Sequence, residues 1–263
     1  KRSIYSFIFS FSLLIFPFVV LLPLLPIIII INNLDNSTAD YDFTYMIVVP
    51  SLALCYILIY AFVTIVLTRL LQWNIKPGKY PIYSWLYIRK WFADQLMSLS
   101  LIVLHPIYAT VYIPFFFRAL GAKVGKNTEI STASSVTHPL LEIGKGSFIA
   151  DAVTLGEADV RAQQLTLAKT IIGNNSFVGN SALIPQGYHL PGRMLIGVLS
   201  IPPSAEILAT AKVKTWFGSP AIPLPRRQES RTFPAELTLR PTPQRILGRS
   251  FVEFIRILIP ETA

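Results

Sequence analysis

From Val124 to Ile196 aliphatic residues return at every sixth position, and this period constrains the fold more tightly than any other feature of the chain. The positions are Val124, Ile130 and Val136, then Ile143, Ile149 and Leu155, then Ile172, Val178, Ile184, Leu190 and Ile196. The residue after each is mostly small, as at Gly125, Ser131, Gly144, Ala150, Gly156, Gly173, Gly179 and Gly197. Four places on stands a small or β-branched residue: Thr128, Ser134, Ser147, Val153, Ser176 and Ala182. A half-buried strand alternates with period two and an amphipathic helix with period 3.6, so neither fits. A period of six fits one face of a triangular prism, a short parallel strand with one aliphatic pointing inward and a corner that small residues can turn. Such faces stack coil on coil and bury a core without a long helix. Residues 120–203 are expected to form a left-handed parallel β-helix of hexapeptide repeats.

The period slips twice. One extra residue lies between Val136 and Ile143, and the longer insertion GEADVRAQQLTLAKT separates Leu155 from Ile172. Loops that leave a regular scaffold carry function disproportionately, so chemistry is expected at these two places. Beyond Ile201-Pro202-Pro203 the repeats stop. Residues 204–245 read as a proline-rich strap, with no room for a helix in WFGSPAIPLPRRQ.

Upstream of the repeats the texture is that of lipid-facing helices. No charged residue occurs from Ser3 to Leu34 or from Met46 to Thr68, and about 20 apolar residues suffice to cross a bilayer core. Residues 3–31 and 46–68 are therefore two expected transmembrane α-helices within a pair covering 1–72. Neighbouring spans would accommodate Pro17, Pro23 and Pro26. Apolar residues make up 52% and charged ones 14%, whereas a soluble domain carries about a quarter charged. The loop between the spans holds Asp35, Asp40 and Asp42 and no cation, while Lys1, Arg2 and Arg69 flank the other ends. By the positive-inside rule, the repeats face the cytoplasm. Asn36-Ser37-Thr38 in that loop is a glycosylation sequon.

Residues 73–119 are harder to place, because 95–117 have no formal charge and the length of a third span. Asp94, His105, Pro106 and Pro114 favour interfacial helices instead, anchored by Trp85, Tyr87, Tyr108 and Tyr112. In residues 246–263, Phe251, Phe254, Ile255 and Leu258 share a helical face, as at the start of another membrane helix. The net charge of +9 is then matched to a membrane surface rather than to nucleic acid. The lone Cys55, inside an apolar run, permits neither a disulfide framework nor a zinc site. The start at Lys1 without a methionine reads as an excerpt of a longer chain.

RALGAKVGKNTEIST (118–132), IGKGSFIADAVTLG (143–156), TIIGNNSFVGNSALIPQG (170–187), LIGVLSIPP (195–203) and WFGSPAIPLPRRQ (216–228) occur in that order. In this the chain resembles the C-terminal domain family of membrane-bound nonribosomal peptide synthetases of the ε-poly-L-lysine synthetase kind. The resemblance implies tandem membrane-anchored units acting after an adenylation domain, which uses ATP, has activated an amino acid and loaded it on a phosphopantetheine carrier. The partners implied are those adenylation and carrier domains, sister units or a homo-oligomer, membrane lipid and a cationic amino acid. No carrier serine motif or nucleotide loop is present here, so the chemistry implied for this unit is attack of an amine on a carrier-bound aminoacyl thioester.

An attacking amine must lose a proton, and histidine is the usual base. His138, at the one-residue slip, is placed to leave the coil and face a groove; the alternative is a solvated corner histidine. His105 reads as an interface residue and His189 as a corner residue. Asp151 and Glu157 each stand two places after an aliphatic, at equivalent points of adjacent faces. They are expected to grip a cationic amine, or else to keep the coil soluble. Asn180 is a binding candidate or a stacked-coil asparagine. Arg226 and Arg227 would contact a phosphopantetheine phosphate or lipid headgroups. No metal or nucleotide is expected to bind this segment. Two other functions fit the same pattern: a coenzyme-A-dependent acyltransferase acting on a lipid or sugar, and a non-catalytic scaffold or export conduit.

Overall fold

The computed structural model describes residues 2–35, 41–210, 212–225 and 241–262. The sequon at residues 36–38 and the pair Arg226 and Arg227 lie outside them. Helix α1 (Arg2–Leu21) carries Pro17 internally and ends in a 3-10 turn, Leu22–Leu24, built around Pro23. Pro26 then falls in the first turn of α2 (Leu25–Asp35), where a missing N–H costs no helical bond. Helix α3 (Tyr41–Leu71) follows. Two stretches are long and apolar enough to cross a membrane, Tyr5–Asn33 and Ile47–Leu71, with mean hydropathies of 3.1 and 2.3. Phe7, Leu14, Phe18 and Phe62 on them are exposed, the reverse of a water-facing helix.

Helix α4 (Trp85–Val103) starts where Ser84 Oγ accepts the Tyr87 amide at 3.2 Å, satisfying an amide left over at the helix start. It is not among the qualifying spans and packs across α1 and α3 instead. Trp91 meets Phe9 edge-on at 4.8 Å, Phe16 meets Phe92 at 5.6 Å, and Arg89 Nε donates to Leu71 O at 2.9 Å. Trp85 is exposed, as an anchor would be. Tyr108 and Tyr112 are not: Tyr108 is buried with its hydroxyl 3.4 Å from Ser100 Oγ, and Tyr112 donates to Ser250 O at 2.9 Å. Tyr108 caps the turn His105–Ile107 and Tyr112 packs half-buried against the core, so both are held within the protein rather than standing free as interfacial anchors. Helix α5 (Ile113–Leu120) ends at Gly121, whose left-handed backbone (φ +112°) lets the amides of 121 and 122 close on Arg118 O and Phe117 O.

The strands beyond α5 form three ladders, predominantly parallel, visited in cyclic order. The first holds Lys123–Val124, Leu141–Ile143, Thr170–Ile172 and His189–Leu190. The second runs through Glu129–Ile130, Phe148–Ile149, Phe177–Val178 and Leu195–Ile196, and the third through Ala133–Ser134, Val153–Glu157 and Leu183–Pro185. The periodic aliphatics sit in register: Val124, Ile143, Ile172 and Leu190 on the first ladder, and Ile130, Ile149, Val178 and Ile196 on the second. Every periodic position except Val124 is buried. The small residues at the corners have a steric cause. A Cβ on Gly179 would stand 2.7 Å from both Gly197 C and Val198 N, backbone of the next circuit.

The insertion leaves the third ladder and returns to the first as a hairpin, Asp159–Arg161 with Gln164–Leu167, so Ile172 keeps the phase that the inserted residues hide in the sequence. Gly78–Pro81, from the segment joining α3 to α4, pairs antiparallel with the hairpin. The proline-rich strap is extended at Thr215–Phe217 and Ile222–Pro223. It opens with a short helix, α6 (Ala205–Thr210), and Thr215–Phe217 then adds in parallel to Leu195–Ile196, setting the buried Trp216 beyond Ile196. Finally α7 (Pro243–Thr262) packs on α3, clasped by Arg249 to Glu129 at 2.7 Å and by Glu253 to the Val111 amide at 2.6 Å.

Candidate functional site

A cavity of about 350 Å3 opens between α4, the third ladder and the base of the hairpin. Helix α4 contributes Tyr87, Lys90, Trp91, Asp94, Met97, Ser98 and Leu101, one stripe of side chains about a turn apart, as a 3.6-residue repeat dictates. Ala133 to Val136 and His138 form the opposite wall, and Tyr108, Glu157, Ala158, Val160 and Leu165 close it. Both irregularities of the repeat meet here. The single extra residue becomes the 3-10 turn His138–Leu140, and the long insertion supplies the hairpin wall.

Apolar walls make the charged groups conspicuous. Lys90 is 3% exposed and its Nζ lies 2.5 Å from Asp94 Oδ1, one helical turn away. Burial raises the pKa of the Asp94 carboxyl above its usual range, Lys90 pulls it down, and the nearby Glu157 pushes it up again. His138 is wholly buried, its ring edge-on to Phe117 at 5.2 Å, and neither ring nitrogen has a hydrogen-bond partner. Burial, reinforced by the Lys90 ammonium, brings its pKa down to about 3, so the imidazole is neutral at any physiological pH. Two unsatisfied nitrogens in a cavity wall are polar valences that an occupant can fill.

His138 thus lines a cavity, as a wall group inside the packed core rather than a side chain projecting from the coil, because Pro139 and the 3-10 turn fold it under α5. Glu157 lines the same space. Its intended partner Asp151 does not: Asp151 sits at an exposed corner, where its carboxylate takes hydrogen bonds from Thr132 and Ser131. The two carboxylates part company because the register shifts between Ile184 and Pro185, with Gly156 at φ +71° inserting one residue before Glu157. Asn180 is a stacking group, its Oδ1 accepting the Asp151 amide at 3.2 Å. His105 and His189 are exposed and away from the cavity.

Lys90 and Asp94 were missed as site residues by reading from the sequence. Their signal was an acid and a base four apart in one helix, a spacing that puts both on one face. A buried ammonium, two carboxylates and a neutral imidazole around a partly enclosed apolar space can hold a small amine and move a proton from it. Among the described residues no group of three His, Cys, Asp or Glu is placed to hold a metal.

Over 250 residues, 95% of its length, the chain is 41% identical to Delta-poly-L-ornithine synthetase of Acinetobacter baumannii (strain AB307-0294). It spans only 18% of that relative, less than a fifth of its length. No family model matches the chain, and no solved structure matches it.

Proposed function

We propose that this chain is one membrane-anchored unit of a poly-amino-acid synthetase and that the cavity is where it joins an amine to a carrier-bound aminoacyl thioester. Supporting this is the 41% identity, along nearly the whole chain, to a protein named for making polyornithine. In this reading the two apolar helices span the membrane, and the three ladders are the faces of a left-handed parallel β-helix on its cytoplasmic side. The residue that carries the assignment is His138, a residue of the cavity wall whose ring nitrogens have no partner, beside carboxylates that line the same cavity.

The acceptor is an amino acid with an ornithine- or lysine-like cationic side chain. Glu157, whose charge is not taken up by Lys90, attracts its ammonium. An imidazole held near pKa 3 is a weak proton acceptor, so the role of His138 is to accept a hydrogen bond from the amine and orient its lone pair. The phosphopantetheine arm and its thioester come from a separate carrier domain, and ATP is consumed by a separate adenylation domain. In the full synthetase, His138→Ala and Glu157→Gln should leave the aminoacyl carrier fully loaded while polymer output collapses. Unchanged polymer in both variants would remove the reaction from this cavity and favour a scaffold.

A further inference from the structure

We infer that Asp94 is the catalytic base of this unit, taking the proton from the attacking amine; this rests on the reading of the cavity as the amide-forming site. Asp94 stands on the cavity side of α4, facing the wall that contains His138. Lys90 occupies only Oδ1, and the second carboxylate oxygen has no partner among the described residues. The carboxylate is 37% exposed, so a substrate can reach it. The two orphan nitrogens of His138 are an independent sign of a polar occupant, since buried polar atoms are otherwise satisfied.

The groups facing Asp94 are few. Lys90 comes from its own helix, Glu157 from the base of the hairpin and His138 from the 3-10 turn, and Tyr87 and Tyr108 also line the cavity. Burial and Glu157 together make the carboxylate more basic than one in water, while Lys90 limits the effect. In the reaction, the amine lone pair forms a C–N bond to the thioester carbonyl carbon, and the nitrogen proton passes to Asp94. The C–S bond breaks, the thiolate leaves with its electron pair, and the proton moves on from Asp94 to sulfur. Carboxylate and free thiol result, with no further reactant required.

The test uses the full synthetase, with carrier loading and polymer formation measured separately. Asp94→Asn alone leaves a buried ammonium unpaired, so the deciding variant is the double change Lys90→Met with Asp94→Asn, which removes both charges together. A base of this kind supplies about 100-fold or more, so polymer formation should fall by that factor with loading intact. The residual rate should lose its acid-side pH dependence, and Asp94→Glu should recover part of the rate. A double variant that unfolds at the wild-type temperature and polymerises within about threefold of wild type overturns the assignment. If His138→Ala and Glu157→Gln still abolish polymer in that case, the cavity reading stands and only the base is wrong. If they too are harmless, both readings fall.

Discussion

Replacing His138 with Leu should flatten the acid dependence of folding stability, by an amount the burial of the ring sets. The folded pKa is about 3 against an ordinary 6.5. The unfolded chain therefore takes up a proton as pH falls through about 6.5, while the folded chain stays neutral until about 3. The stabilisation is complete above 6.5 and is lost as pH falls through that window. Differential binding makes the loss about 2 kcal/mol at pH 5 and about 4 kcal/mol at pH 3.5. For a chain of this size about 2 kcal/mol moves the midpoint by roughly 4–8 °C. Thermal unfolding of the wild type and of His138→Leu in detergent, at pH 7.5 and pH 5, measures it. Groups such as Glu142, whose pKa is held down by Lys123 and Lys169, contribute equally to both proteins and cancel. Parallel losses in the two proteins would mean that the imidazole does not stay neutral inside the fold, and the electrostatic picture of the cavity would fail.

Two further changes probe the scaffold. Gly179→Ala pushes a methyl against the backbone of the next circuit and should cost about 1–3 kcal/mol, whereas Gly248→Ala in α7, with nothing within 4 Å, should stabilise by about 0.5–1 kcal/mol. Urea unfolding of the pair gives both signs, and equal effects would refute the steric account of the corners. Trp216→Ala empties the buried position beyond Ile196 and should cost about 3–5 kcal/mol by the same assay; a loss under about 1 kcal/mol would mean that the strap strand does not close this end of the core.

How far the sequence could be read depended on how local each constraint was. The period of six is repeated many times, so the inward positions Ile149, Val178 and Ile196 and the close-packed corner at Gly179 were all legible. Trp216 was not, because a strand that rejoins a ladder after the α6 detour carries no periodic mark of its own. His138 was legible as the residue at a slip in the period, but its burial was not: the α5 helix that covers it lies outside the repeats. The pairing of Asp151 with Glu157 failed for a comparable reason, since one residue inserted at Gly156 changes where a side chain points.

By itself the sequence determined which segments are apolar enough to sit in a membrane, which residues face inward along the three ladders, and where the repeat is interrupted. These follow from periodicity and composition, which are local properties of the chain. Only the tertiary structure decided that both interruptions open onto α4, bringing Lys90 and Asp94 to His138 and Glu157 across a gap of more than forty positions. That meeting depends on how α4 crosses the third ladder, and helix packing against a distant surface leaves no periodic trace in either partner.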